Sequence, residues 1–150
     1  MSKKRARTEA AAGSAAAGHL AARDASFTAL WEQGRFCDVT IQVDSGERFE
    51  AHRLVLAAGS DYFKALFSSA MRESAEDVVT ICEIAADDMR AVLRFLYTLR
   101  LEAKPETLAG VMMAASRLEV PSLLALGAES LASTLTLESC IASWAVAVSI

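Results

Sequence analysis

Hydrophobic and polar positions change period several times along the chain, and each change marks an element. Residues 1–18 show no period, and Ala10–Gly18 is almost wholly alanine, glycine and serine. Such a segment buries too little to order itself, so a disordered tail over residues 1–22 is expected. A helical period starts near His19 and runs to Gln33, placing Phe27, Leu30 and Trp31 on one stripe, with Gly34 as the stop signal. Val39, Ile41 and Val43 then alternate with Thr40 and Gln42, the period of a half-buried strand. Asp44, Ser45 and Gly46 supply turn chemistry, and Phe49 and Ala51 resume the alternation. A hairpin this short cannot shield its own apolar face, so it needs cover from a helix.

The cover follows at once. A helix is predicted over Leu54–Ser68, with Leu56, Phe63, Leu66 and Phe67 as its apolar residues and Ala57, Ala58 and Gly59 allowing close approach of other backbones. A polar bend from Ser68 to Asp77 leads to a third strand, Val78–Ile84, with Val79 and Ile81 on one face. Asp87 or Asp88 can cap the next helix, in which Met89, Val92, Leu93, Leu96 and Tyr97 keep the 3.6-residue period. Leu99–Ala103 reads as a short peripheral strand closed by Pro105. Helices follow over Glu106–Leu118 and Ser122–Thr134, separated by Pro121, which a helix accepts only in its first turn. Ile141, Trp144, Ala145 and Val148 carry a last helical pattern that reaches Ile150 without a cap, so the parent chain is expected to continue. The order gives an α+β class with helices dominant and a small three-stranded sheet.

Composition narrows the functions this architecture can serve. A chain of this length that is 53% hydrophobic can bury one sizeable core, and no apolar run reaches the roughly 18 residues of a membrane span. Cys37, Cys82 and Cys140 are odd in number and widely spaced, which suits three reduced thiols in a cytoplasmic or nuclear protein better than disulfides or zinc. The net charge of −4 hides two unlike parts. Residues 1–23 hold Lys3, Lys4, Arg5, Arg7 and Arg23 against Glu9, leaving ten basic and eighteen acidic side chains to the rest. An acidic body argues against nucleic-acid binding. The Lys3–Arg7 cluster reads either as a nuclear import signal or as a solubilising terminus.

Catalytic and cofactor motifs are missing from the sequence. It contains only two histidines, His19 and His52, and no G-x-S-x-G elbow, phosphate-binding loop, dinucleotide fingerprint or H-E-x-x-H. Cys37 beside Asp38 reads as a small hydrophobe rather than an activated nucleophile. Glu76/Asp77 and Asp87/Asp88 sit at apparent element starts, where capping explains them. No enzyme activity, cofactor or metal site is expected; the domain should act by contact.

Three linked motifs carry a family resemblance: Phe-Cys-Asp-Val-Thr at 36–40, Phe-Glu-Ala-His-Arg-Leu-Val-Leu-Ala-Ala at 49–58, and Ser-Asp-Tyr-Phe at 60–63. In order and together they resemble the BTB/POZ domain in its kelch-like (BTB-BACK-Kelch) form, over about residues 24–148. The resemblance implies a BTB/POZ domain over residues 23–134 and the start of a BACK three-box helix over 135–150. It implies a domain-swapped or two-fold homodimer whose interface takes in Phe27, Leu30, Trp31, Asp38, Arg53 and Leu56. It also implies a cullin-3 adaptor of a ubiquitin ligase, with Met71-Arg72-Glu73 matching the family's hydrophobic-x-Glu motif. Met71, Glu73, Leu66, Phe67 and Tyr97 would form the cullin-3 surface, and a substrate receptor, with kelch repeats, would lie further along the parent chain. The alternative within the same fold is a transcriptional repressor whose dimer groove takes co-repressor peptides. Two departures stand out: Leu99 follows Tyr97-Thr98 where the family usually has glycine, and Gly127 and Ser130 replace a common Cys and Phe.

Overall fold

The computed structural model describes residues 22–23, 25–68 and 77–134. The tail over 1–21, the Met71–Glu73 motif, Cys140 and the three-box-like segment from 135 lie outside the described residues. A first helix, α1, covers residues 25–32. The hairpin β1 (Val39–Val43) and β2 (Arg48–Ala51) follows, then α2 (Arg53–Gly59), α3 (Asp61–Ser68), β3 (Val78–Ile81), α4 (Ala86–Thr98), α5 (Pro105–Arg117) and α6 (Pro121–Thr134).

β1 lies at the centre of a sheet ordered β2-β1-β3. It runs antiparallel to β2, with Ile41 opposite Phe49, and parallel to β3, with Ile41 opposite Val79. Val39, Ile41 and Val43 are buried, so the alternation expected of the first strand is realised. Gly46 turns the hairpin at φ 84°, and its N–H bonds the Val43 carbonyl. The parallel pairing requires a crossover, which passes through α2 and α3.

One predicted helix is two. Ser60 is extended (φ −137°, ψ 122°) and separates α2 from α3. Its hydroxyl donates to the Leu118 carbonyl at 2.5 Å and accepts the Phe63 N–H at 3.1 Å, capping α3. The neighbouring Asp61 N–H bonds the Glu119 carbonyl. The break therefore seats the α2–α3 corner on the turn between α5 and α6, where Leu118 and Val120 are buried and Glu119 takes φ 49°.

Further differences are local. Residues 99–104 form no strand; Leu99 instead adopts the left-handed conformation (φ 54°, ψ 24°) that closes α4. The family's usual glycine marks that same backbone demand, which Leu99 meets at the steric cost of a β-carbon. α4 is capped by Ala85 without a side-chain bond, and Asp87 and Asp88 fall in its first turn. β3 stops at Ile81, because Glu83 turns to φ 62° with its N–H on Asp44 Oδ2. Both Pro105 and Pro121 lie inside the helices they open. The space that a larger residue at 127 would fill is taken by Met112, whose Cγ lies 3.1 Å from where a β-carbon on Gly127 would sit.

The core joins sheet and helices through Ile41, Leu56, Phe63, Met89, Leu93 and Phe95, each at most 1% exposed. Burial of this kind contributes about 25 cal/mol per Å² and is the main force holding α4 against the sheet and α5. Gly59 sits where α2 nears α4; a β-carbon there would meet Leu96 at 2.5 Å.

Candidate partner-binding surface

The motif residues at 36–40 and 49–58 meet at the start of α2. Asp38 Oδ1 accepts the Arg53 N–H at 2.7 Å, and Arg53 Nε donates to the Asp38 carbonyl at 3.2 Å. Asp38 thus caps α2 from across the hairpin, a carboxylate placed at the positive end of the helix. The Arg53 guanidinium also lies 4.9 Å from the centre of the Phe67 ring on α3. The sequence motif pairs Asp38 with Arg53, and the structure joins the two and sets the Arg53 guanidinium over Phe67.

α3 offers Tyr62, Leu66 and Phe67, all half-buried, packed on the core through Phe63. Phe63 and Phe67 stack at 5.7 Å and Tyr62 meets Phe63 edge-on at 5.4 Å. The helix ends at Ser68, three residues before Met71.

No side chain of α1 is buried within the described residues, although Phe27, Leu30 and Trp31 lie on it. Trp31 stacks on Tyr97 with ring centres 4.4 Å apart and planes 1° from parallel, and its Nε1–H donates to the Glu50 carbonyl at 2.9 Å. Thr28 Oγ1 donates to the Tyr97 carbonyl. Beside α1 lies an apolar depression of about 420 Å³ lined by Phe27, Leu54, Val55, Ala58, Leu96 and Leu99, among others. Phe27, Leu54 and Leu99 are 39%, 75% and 63% exposed, an unusual concentration of large apolar side chains on a single chain.

Two expectations need correction. Leu56, assigned to the dimer interface, is fully buried and faces the core, so Leu54 and Val55 form the outer face of α2. Tyr97, assigned to the cullin-3 surface, is 4% exposed and committed inside the chain to Trp31 and His52. Periodicity groups Leu56 and Tyr97 with their helical stripes correctly. It does not say whether a stripe meets the same chain or another.

His52, passed over by sequence reading beyond its motif, links three elements. Its Nε2 donates to the Arg35 carbonyl at 2.8 Å, and its Nδ1 lies 2.8 Å from the Tyr97 hydroxyl, which also accepts the His52 backbone N–H at 2.9 Å. Cys37 Sγ is 3.9 Å from Nε2. Burial pushes the Cys37 thiol up, with the Glu50 and Asp38 charges adding to it, so it is no activated nucleophile. Burial likewise raises the Tyr97 phenol well above the usual range and keeps it protonated. No group of three or more His, Cys, Asp or Glu that could hold a metal occurs among the described residues, and no helix there is long and apolar enough to cross a membrane.

A helix-rich domain on a three-stranded sheet, with an aspartate–arginine pair at the hairpin and an exposed apolar face on its first two helices, defines a contact module. The chain belongs to the BTB/POZ domain family, whose profile matches residues 27–135. It is similar to Kelch repeat and BTB domain-containing protein 8 of Xenopus tropicalis (36% identical over 113 residues, 75% of this chain and 19% of that protein). Kelch-like protein 26 of Mus musculus is 33% identical over 84% of the chain and 21% of that protein, and human Kelch-like protein 34 is 38% identical over 76% and 18%. The chain thus spans about a fifth of the length of these relatives. Among solved structures, the BTB domain of zebrafish PATZ1 matches with a TM-score of 0.68 at 29% identity, covering 79% of this chain and 95% of that one.

Proposed function

We propose that this domain is a homodimeric, non-catalytic adaptor that recruits cullin-3 into a ubiquitin ligase, with substrate selected by a receptor elsewhere in the parent protein. The observation that carries the reading is the run of kelch-type relatives extending over three quarters or more of the chain. The α3 face supports it. Leu66 and Phe67 would form the apolar floor of the cullin-3 site, Arg53 would hold the Phe67 ring in place, and Met71 and Glu73 would follow directly in sequence. A methionine supplies an adaptable apolar anchor, and a carboxylate two residues on gives a charge for the partner to read. Tyr97 would act from behind, through Trp31, rather than by touching the cullin. Such an adaptor would work in the cytoplasm, with entry to the nucleus if Lys3–Arg7 serves as a signal.

The test is co-purification of the full chain with the cullin-3 N-terminal region. Met71→Glu combined with Glu73→Lys should reduce capture by at least about tenfold while leaving the unfolding midpoint unchanged, since an interface anchor is worth about 2 kcal/mol or more. Undiminished capture would refute the role given to the motif. The second reading, a repressor domain whose dimer groove takes co-repressor peptides, has the fold likeness to the PATZ1 BTB domain on its side. Groove-directed peptide binding without cullin-3 capture would favour it.

A further inference from the structure

α1 is held to the domain in an unusual way. None of its described side chains is buried, and depressions of about 600, 420 and 530 Å³ open at its C-terminal end and along its flanks. Among the described residues its attachment includes four directed contacts beside the packing of Trp31 on the core: the Trp31 stack on Tyr97, Thr28 on the Tyr97 carbonyl, Trp31 on the Glu50 carbonyl, and the turn after α1 tied by Arg35 to His52. Three of these converge on the His52–Tyr97 pair. We propose that His52 and Tyr97 form a proton-sensitive latch that fixes the position of α1 and thereby governs self-association through it; the second clause rests on the dimer reading above.

The hydrogen-bond arithmetic supplies the mechanism. A carbonyl can only accept, so His52 Nε2 carries the hydrogen that meets Arg35, and in neutral imidazole Nδ1 is then an acceptor. The Tyr97 hydroxyl donates to Nδ1 while accepting the His52 backbone N–H, so every group in the cluster is satisfied. A proton added at Nδ1 turns that nitrogen into a second donor aimed at the same oxygen. The hydroxyl hydrogen then loses its acceptor and must turn to another, which loosens the hold on the Tyr97 ring beneath Trp31. Charged and titratable neighbours from each packed element bear on this. They are Asp38, Glu50, Arg35 and Arg53, together with the Cys37 thiol 3.9 Å from Nε2, which burial and the Glu50 and Asp38 charges keep neutral.

The sequence makes the test clean, because it holds two histidines and two tryptophans. A full-length His19→Gln/Trp144→Phe background leaves one imidazole and one indole. On acidification from pH 8 to pH 5.5, Trp31 emission should change in a single step, and the dimer dissociation constant should rise at least about fivefold. Adding His52→Gln should flatten both profiles. Tyr97→Phe should give the acid-type emission at every pH, so the proposal stays testable if one variant fails to fold. An emission profile flat in the background protein, or a step that survives His52→Gln, would overturn the latch. A protein that is monomeric throughout yet keeps the emission step would overturn the dimer reading and leave the latch standing.

Discussion

Tyr97 shows how much a single side chain can tie together: its ring supports Trp31, its hydroxyl serves His52, and its carbonyl receives Thr28. Because burial raises its ionisation above that of an unfolded tyrosine, near about pH 10, its stabilising effect is complete below that pH and is lost as pH rises past it. The urea midpoint should decline first from about pH 8.5, where the raised Cys37 and Cys82 thiols would ionise in the unfolded chain, and then more steeply above about pH 10. Tyr97→Phe, which keeps Cys37, should share the first decline and show a shallower second one; equal slopes would rule out the phenol as the source. At this scale the sequence was legible where motif and chemistry coincide, as in the Asp38–Arg53 pair. It was illegible at Leu56 and Leu54, two positions apart on one short helix, where only the packed fold decides which is covered.

Among elements, the corner between α2 and α3 was hidden in plain view. Ser60-Asp61 is a helix-start signature, yet the apolar period runs on through it from Leu56 to Phe63, and the period dominates a sequence reading. What breaks the helix is tertiary: the α5–α6 turn presents the Leu118 and Glu119 carbonyls to Ser60 and Asp61. Ser60→Ala should therefore cost about 1–3 kcal/mol, since it leaves the Phe63 N–H and the Leu118 carbonyl unpaired in a buried place. Chemical denaturation measures this directly, and a loss below about 0.5 kcal/mol would show the corner to be set by apolar packing alone. The strands were readable from alternation because β1 is covered on one face in the usual way. Residues 99–103 alternate as well, but they have no neighbouring strand within the described chain to pair with.

For the molecule as a whole, the class followed from sequence, as did the element order apart from the α2–α3 break and the strand expected at 99–103, whereas the exposed apolar face spanning α1, α2 and the end of α4 emerged only from the fold. Phe27, Leu54 and Leu99 are distant in sequence, and their meeting around one depression depends on α2 crossing α4 at Gly59. Light scattering should give a mass near twice 16.0 kDa, and Leu54→Asp should shift it toward the single-chain value with little change in the circular dichroism spectrum. A dimer that tolerates Leu54→Asp would place the interface elsewhere.

The parallel match of β1 to β3 has a consequence for synthesis. Thr40 must wait for Val78 to be made before the sheet can close, while β2 is on hand at once. During that interval one margin of the nascent hairpin is bare, and such margins invite neighbouring chains to stick. Two emerging copies on one message would meet in that window, so crowded translation should favour aggregates over properly finished domains unless a chaperone shields the gap.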